Sequence, residues 1–576
     1  MVDQGQGHLG SPVMLSSPRT SEVRGFICCE WWCSGYWLSN GSLNQCAGQV
    51  NAQSRLMSFM SGLARPSVLP RSRLIKIAWP IVIRFAKGMR HIDASQLPEP
   101  PKAKIINVVT DVLVIGGGLS GLITAMELSR LGLKVTIVEG NSELGGRIIE
   151  LEDQGVLKVS EYVNSAKAKL TNGLLTGVVF DGVLEDAAIG HSLDGAKLFE
   201  FNYKVLVLAT GSREVPLVFP GNYKVPMYTG LTYLKLVKAG VVKGEPILYG
   251  TDEWGIGVAR ELVKLGLNPL IMDHAIQPRT GRLSDLKDLR AVMGAYISSV
   301  EVEGARFRLR YQVPEGPKKF TIGEATGDAL ITTIRVPAVE LLAQLGAELA
   351  YDIVLGGIVP RHKWSGEVIG LRNVYVVGEA TGMIPLSTIP LQAKATAYSI
   401  AAMYGLIKPE EADKAIAEFK NALVTSNPTF VDAFNRLEKG LHDVGYFQEP
   451  NVPEVPQWVS DLYFLDKADD QLICFCEDVS LGDLLRVTRE FLGLKEIKLN
   501  ILHDEVPKHR ELKMPRMEYI KRATGLGTGA CQGKLCMITA NLMLARLMRR
   551  KPYEFGLPRQ RPPLNPIPMG TLGDAE

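Results

Sequence analysis

The sequence predicts an α/β protein with two dinucleotide-binding domains, followed by a small, mainly helical four-cysteine domain. Three observations carry this expectation. A glycine loop, residues 116–121, stands between an apolar strand and a helix-like run. Residues 245–273 repeat the same strand–turn–helix–strand design. Two close cysteine pairs, Cys474/Cys476 and Cys531/Cys536, lie near the C-terminus.

The chain has 576 residues, enough for several domains. Apolar residues make up 46% and charged residues 22%, as in an ordinary folded soluble protein. A formal net charge of +3 gives no reason to invoke nucleic acid. No apolar run approaches the roughly 18–20 residues that cross a bilayer. The best candidate, Leu74 to Ala86, carries Lys76, Pro80 and Arg84. The opening MVDQGQGHLGSP lacks the basic start and apolar stretch of a secretory signal. The expectation is a cytoplasmic chain, whose thiols stay reduced and whose clustered cysteines mean metal.

Residues 1–56 show no helical or strand period and read as a disordered extension or an early start. Their Cys28, Cys29, Cys33 and Cys46 match no ligand spacing. The six basic residues from Arg71 to Arg90, with no acid among them, read as a solvated or subunit-facing arm. The alternative is weak peripheral contact with an anionic membrane surface, and Pro80 would interrupt a long interfacial helix there. LPEPPKAK, residues 97–104, is a Pro-rich linker, and Pro450, Pro453 and Pro456 mark a second. The expected divisions are an extension at 1–70 and the arm and linker at 71–105. A nucleotide domain follows at 106–220 and 325–410, with a second, NAD-type domain at 221–324. A helical linker at 411–470, the four-cysteine domain at 471–550 and a Pro-rich tail at 551–576 complete the chain. The tail is expected to be extended and to lie on a neighbour.

Between the linkers, apolar runs alternate with helix-like stretches, as a parallel α/β fold requires. Expected strands include 112–115, 134–138, 205–208, 247–249 and 374–377. The first of these runs directly into Gly116, Gly118 and Gly121. Gly116 permits a tight turn, Gly118 lets the backbone approach a pyrophosphate, and Gly121 lets helix and strand pack closely. The helix that starts at Leu119 and Ser120 turns free amides and a positive dipole end toward the phosphates. Glu139 ends the next strand, 18 residues after Gly121, where a carboxylate bonds ribose hydroxyls and disfavours a 2′-phosphate. In the second repeat Gly250 and Gly255 are in place, but Asp252 occupies the position of the middle glycine. A carboxylate facing a pyrophosphate repels it, so this domain is expected to keep its shape and lose tight NAD(P)H binding.

VLVLATGSREVPLVFPG (residues 205–221) and NVYVVGEATG (residues 373–382) shift the reading from an NAD dehydrogenase to a flavoprotein. With the first glycine loop, they resemble the FAD-dependent pyridine-nucleotide–disulfide oxidoreductase superfamily over roughly residues 106–405. The resemblance implies two Rossmann-like domains of the glutathione-reductase type. It implies that Ala209, Thr210 and Gly211 close the flavin domain, that Gly378 and Glu379 reach the ribityl chain, and that Gly146 and Arg147 join the cofactor contacts. The sequence departs at Glu379, where the family has Asp. The longer side chain either reaches the ribityl hydroxyls or marks a slot filled by another nucleotide. Residues 47–473 contain no cysteine, so the body cannot perform the thiol chemistry of disulfide reductases.

Cys474 and Cys476 in QLICFCEDVSLGDL, with Cys531 and Cys536 in TGLGTGACQGKLC, can converge four thiolates. Four thiolates suit Zn²⁺ or an iron–sulfur cluster, and the count alone does not choose. Gly525, Gly527, Gly529 and Gly533 free backbone amides to point at sulfur, and the helix-like run after Cys536 presents its positive end to an anionic cluster. These two stretches are very similar to the bacterioferritin-associated-ferredoxin-like (BFD-like) [2Fe–2S] domain. The version most similar ends the α subunits of sarcosine oxidase, opine oxidase, dye-linked proline dehydrogenase and hydrogen cyanide synthase. The interval of 54 residues between Cys476 and Cys531 is longer than usual, through a polar insert near 499–517.

That resemblance implies an electron-transfer subunit of a hetero-oligomeric amine or imino-acid dehydrogenase or oxidase, with the substrate oxidised on a β-subunit flavoprotein of the glycine/sarcosine oxidase type. The implied cofactors are FAD (or NAD or ATP in the same slot), a [2Fe–2S] cluster, and FMN at the subunit interface. The alternatives are a self-contained NAD(P)H-dependent flavin reductase and a non-catalytic nucleotide- and metal-binding scaffold. No catalytic base stands out. His191, His274, His362, His442, His503 and His509 are scattered and read as surface or loop residues.

Overall fold

The computed structural model describes residues 103–440, 467–493 and 513–571, apart from positions 155–156, 171, 185–186, 281, 317–318, 353, 530, 549, 559 and 568–570. The N-terminal cysteines, the basic arm, both Pro-rich linkers up to residue 102 and from 450 to 456, and residues 494–512 of the insert lie outside the described residues.

The first nucleotide domain is a five-stranded parallel sheet. Its order is Val374–Val376, Val205–Leu208, Val112–Ile115, Val135–Glu139, Leu174–Thr176. Val112–Ile115 is central and buried along its whole length, which is why its sequence is a continuous apolar run rather than an alternating one. Ile115 pairs with both Val138 and Leu208. That register brings Gly116, Glu139 and Ala209 to one edge, at the carboxyl ends of the strands where α/β sheets bind ligands. The first helix, Leu119–Arg130, packs on Ile389–Met403, an alanine-rich helix that admits close approach. Helices Pro409–Ser426 and Thr429–Lys439, in the region expected to be a linker, bury Phe419, Leu423 and Phe434 in this same core.

A four-stranded sheet lies beside it, in the order Lys104–Val109, Lys197–Asn202, Ala187–Ser192, Val178–Leu184. The second nucleotide domain repeats the five-stranded parallel design with Met227–Thr229, Ala329–Thr332, Pro246–Tyr249, Leu270–Asp273 and Arg290–Met293, and adds a three-stranded antiparallel sheet. The chain returns to the first domain after Thr332, later than the expected residue 325, because Ala329–Thr332 pairs with both Pro246–Tyr249 and Met227–Thr229.

The cysteine-bearing unit contains a short hairpin, Leu472–Cys474 with Val479–Ser480, and helices Leu481–Phe491, Met517–Thr524, Met537–Leu547 and Pro552–Phe555. It is not a tethered bead. One continuous hydrophobic core runs from Leu113, Leu206 and Val376 of the first domain to Ile473, Leu484 and Leu544 of this unit. Asn222, fully buried, accepts the Leu472 amide at 2.9 Å and donates to its carbonyl at 2.8 Å, so it stands in for a strand neighbour. The C-terminal tail, expected to lie on a neighbour, returns to its own chain. Leu564 donates to the Asp181 carbonyl at 2.9 Å, and Thr571 Oγ1 to the Gly195 carbonyl. Among the described residues no helix is long and apolar enough to cross a membrane.

Candidate functional site

The first glycine loop is packed as a cradle. A Cβ on Gly116, whose φ is +110°, would lie 2.3 Å from the Ala209 carbonyl oxygen, and one on Gly121 would lie 2.0 Å from the Gly116 oxygen. Gly118 differs: a Cβ there meets nothing closer than Gly146 Cα, at 3.9 Å. The crowding at Gly116 and Gly121 is structural, whereas the space above Gly118 opens toward the expected phosphate. Gly118 caps the helix Leu119–Arg130 with extended backbone, and no side chain caps its first-turn amides. Glu139, buried at the strand end, accepts the Gly117 amide at 2.7 Å on Oε2 and the Asn141 amide at 2.8 Å on Oε1. Burial pushes its carboxyl up against those amides. Thr210 Oγ1 donates to the Ala338 carbonyl at 3.0 Å. Gly378, at φ +73°, lies over Ser120, whose Oγ would be 2.4 Å from an added Cβ.

Glu379 sits in an ion network. Its Oε1 accepts Arg335 Nη1, and its Oε2 accepts Ser212 Oγ at 2.9 Å. The other side of the Arg335 guanidinium donates to Asp252 Oδ2, from Nη2 at 2.7 Å and Nε at 3.1 Å. Burial alone would raise the Glu379 carboxyl. The charges of Arg335 and Arg147, with the Ser212 hydroxyl, instead hold it below the usual carboxylate range. Arg147 donates to the Ser212 carbonyl and lies over the Trp254 ring, 5.6 Å from its centroid. Its Nη1 is buried without a hydrogen-bond partner.

These features fit a nucleotide. The uncapped helix and the open space at Gly118 suit a pyrophosphate, and Glu139 suits a ribose. Glu379 is already engaged by Arg335 and Ser212, so a ribityl chain would meet it only in competition with these partners.

The second cleft is filled from within. Asp252 Oδ1 accepts the Gly255 amide at 2.8 Å and so caps the helix Glu253–Lys264. The carboxylate thus takes the phosphate's place on the helix, and Arg335 balances it. Asp273, the acid at the ribose position, is fully buried and saturated. Its Oδ2 accepts the Thr251 amide and hydroxyl at 2.9 and 2.7 Å and Arg279 Nε at 3.0 Å, and its Oδ1 accepts the Ala275 amide at 3.1 Å. Burial opposes ionisation, but the Arg279 charge holds Asp273 down at about 2.

The four thiols form a chain of contacts: Cys531 with Cys476, Cys476 with Cys474, and Cys474 with Cys536. The crowding pushes Cys474 and Cys531 down and Cys476 and Cys536 up, since a thiolate is favoured only beside a thiol that keeps its proton. Backbone amides assist: those of Gly527 and Glu477 at Cys474, and those of Leu535 and Gly533 at Cys531. Gly529 approaches so closely that a Cβ would stand 2.3 Å from Cys476 Cβ. Among the described residues no three His, Cys, Asp or Glu side chains are arranged to hold a single metal ion. Four thiols with backbone amide donors are a ligand set of the kind that thiolate-bound metal centres use.

The structure therefore brings the residues singled out in the first loop together with Glu139, Gly146, Arg147, Ala209–Gly211 and Gly378. Sequence reasoning missed Arg335, Ser212, Asn222 and the closure of Asp273 by Arg279. None sits in a recognisable spacing. Two histidines correct the expectation of surface positions. His191 is buried, with Nδ1 2.7 Å from Asp181 Oδ2, and His362 is buried edge-on to Phe434 at 5.0 Å. His442, His503 and His509 lie outside the described residues.

Comparison with known proteins agrees with this geometry. Residues 110–386 match the pyridine nucleotide-disulphide oxidoreductase family, and residues 510–575 match the sarcosine oxidase A3 domain. The alpha subunit of sarcosine oxidase from Corynebacterium sp. (strain U-96) is 22% identical, over 84% of this chain and 47% of its own length. An opine oxidase subunit of Rhizobium meliloti is 22% identical, over 83% of this chain and 89% of its own. The HcnB subunit of hydrogen cyanide synthase from Pseudomonas aeruginosa is 23% identical, over 80% and 97% respectively. The chain spans about half the length of the sarcosine oxidase subunits it matches. The crystal structure of L-proline dehydrogenase from P. horikoshii shares the fold, with a TM-score of 0.55 and 22% identity over 82% of this chain and 81% of that one. Over residues 110–386 the chain is thus similar to pyridine nucleotide-disulphide oxidoreductases.

Proposed function

We propose that this chain is the electron-transfer, α-type subunit of a heteromeric amine or imino-acid dehydrogenase or oxidase. In this reading the first slot holds a dinucleotide, FAD in the family pattern. Cys474, Cys476, Cys531 and Cys536 hold a [2Fe–2S] cluster. The substrate is oxidised on a partner flavoprotein of the glycine/sarcosine oxidase type, with FMN at the interface between the two chains. The names of the relatives, which are subunits of sarcosine and opine oxidases, support the division of labour.

The single observation that carries the reading is the pairing of an uncapped nucleotide helix with a four-thiol unit in one continuous core. A bound flavin accepts two electrons and releases them singly, and a [2Fe–2S] centre carries one at a time. The chain's own contribution is placement. Gly118 and the first-turn amides of Leu119–Arg130 receive the pyrophosphate, and Glu139 the ribose. Asn222 fixes Leu472, two residues before Cys474, so the thiol set keeps one position relative to the slot. The body supplies no thiol near the slot, which leaves the cysteine unit as the electron exit.

The test is anaerobic purification of the chain, alone and co-expressed with its partner flavoprotein, with cofactor extraction and metal analysis. The expected result is one tightly held nucleotide, and about two irons and two acid-labile sulfides per chain. One zinc and no iron would leave a structural scaffold in its place.

A further inference from the structure

We propose that Gln392 is a positioning residue for the first nucleotide slot: through the turn Gly378–Thr381 it fixes Ser120, the second residue of the helix whose free amides meet the pyrophosphate. The inference rests on the nucleotide reading above and is independent of what the four cysteines hold. Gln392 lies on the helix Ile389–Met403, on a buried face made otherwise of alanine, isoleucine and threonine. It is 2% exposed, so its carboxamide must find its partners inside the protein. Its Oε1 accepts the Gly378 amide at 2.8 Å, and its Nε2 donates to Thr381 Oγ1 at 2.9 Å. Thr381 Oγ1 donates in turn to the Gly378 carbonyl at 2.8 Å. Both backbone polar groups of Gly378 are thus closed in one ring with Thr381 and Gln392. The Gly378 amide is engaged within the protein, so this residue acts on the slot through the shape of its turn rather than as a donor.

That shape bears on the helix of the glycine loop. Gly378 lies so near Ser120 that an added Cβ would stand 2.4 Å from Ser120 Oγ and 2.8 Å from Ser120 Cβ. Four residues further along the same face, Thr124 Oγ1 donates at 3.4 Å to the carbonyl of Ala393, the neighbour of Gln392. Ser120, Thr124 and Thr381 are all buried. The helix Leu119–Arg130 is therefore braced at two successive turns by the segment that carries Gln392 and by the turn that Gln392 holds. No side chain caps its first-turn amides, so their direction depends on what packs behind Ser120. Hydrogen bonds weaken steeply with misalignment, and a turn released from Gln392 leaves those amides poorly aimed at a phosphate.

The experiment strips the full chain of nucleotide and titrates it by calorimetry with FAD and, separately, with ADP, in the natural protein, Q392L, Q392E and T381V. ADP carries the diphosphate without a flavin, so it reads the pyrophosphate end whichever dinucleotide fills the slot. Q392L leaves the Gly378 amide buried and unpaired, and it should weaken FAD and ADP alike, by about tenfold. Q392E keeps both the acceptor and a donor while its carboxyl is protonated. Relative to the natural protein it should bind well at about pH 6 and weaken toward about pH 9, where the buried carboxyl ionises. T381V removes only the hydroxyl and should weaken both ligands less than Q392L does. Circular dichroism and melting of the nucleotide-free variants report the fold separately, and T381V carries the test if Q392L does not fold. A folded Q392L, or T381V in its place, with unchanged affinity for both ligands overturns the role of Gln392 and leaves the nucleotide reading standing. Weakening of FAD alone overturns it too, in favour of a contact with the flavin end. A natural protein that binds neither ligand overturns the nucleotide reading and this inference with it.

Discussion

Replacing Arg335 with Met tests whether the two nucleotide domains are locked by a buried charge. The Arg335 side chain is 5% exposed, and its carboxylate partners Glu379 and Asp252 are 6% and 25% exposed. Met fills much of the volume but leaves the Glu379 carboxylate buried, with the Ser212 hydroxyl still donating to it. Removing one partner of a buried pair strands the other charge, at about 3–5 kcal/mol. Asp252 adds little, because it is the most exposed of the three and keeps its helix amide. The pH dependence gives the signature. In the natural protein the Glu379 pKa is depressed, so its contribution is present above the unfolded value and is lost as pH falls through the folded one. In R335M the Arg147 charge and the Ser212 hydroxyl remain, but the largest opposing charge is gone, and burial is expected to push that carboxyl above its unfolded value. The ionised form then becomes the penalised one, so the stability deficit is largest at pH 8 and shrinks toward pH 5 as Glu379 takes up its proton. Urea unfolding, followed by tryptophan fluorescence, reads this directly, since Trp254 is fully buried beside the network and donates to Glu214 at 2.7 Å. A deficit under about 1 kcal/mol at pH 8, or one that grows as pH falls, would refute the network's role.

Three further outcomes follow from the two clefts and the thiols. Gly118→Val should give a folded protein that has lost its nucleotide, because the added atoms enter open space, whereas Gly121→Val should misfold against the Gly116 carbonyl; nucleotide released from heat-treated protein, alongside circular dichroism, separates the cases. NADH and NADPH should not measurably bind the natural chain by calorimetry, and Asp252→Gly alone should not restore binding, because Asp273 stays saturated by Thr251 and Arg279; tight binding by either protein would reverse this account of the second cleft. Serine at any one of Cys474, Cys476, Cys531 or Cys536 should abolish or greatly destabilise the iron centre while the first slot keeps its nucleotide; retention of two irons per chain in all four variants would disprove the ligand set.

What was legible in the sequence was local. The run DVLVIGGGLSGL announces strand, turn and helix within twelve residues, and the central strand lies at Val112–Ile115 as expected. The cysteine pairs were equally plain. What was hidden depends on segments far apart. Lys104–Val109 forms a sheet only by pairing with Lys197–Asn202, and nothing in its own pattern names that partner. The Arg335 network draws on residues 252, 335 and 379, each unremarkable where it stands. The tail carries prolines that read as extended chain, and its partners Phe180, Asp181, Gly195 and Lys534 lie far off in the sequence or in another unit.

The two repeats show how one backbone design diverges in chemistry through a single capping position. Both place a helix N-terminus at the carboxyl end of a central parallel strand, and both end the next strand in an acid. At Gly118 the cap has no side chain, so the first-turn amides face the slot and an anion is attracted. At Asp252 the cap is itself an anion, already bonded to Gly255 and balanced by Arg335. A pyrophosphate entering the second cleft would have to displace a carboxylate that costs nothing to leave in place, and it would meet like charge as it did so. Arg335 makes the choice mutual. The cation that satisfies Asp252 in the second domain also satisfies Glu379 in the first, so opening one cleft disturbs the other. The second domain's position is thereby fixed relative to the first slot, and the repeat that gave up its ligand serves as a wall of the repeat that keeps one.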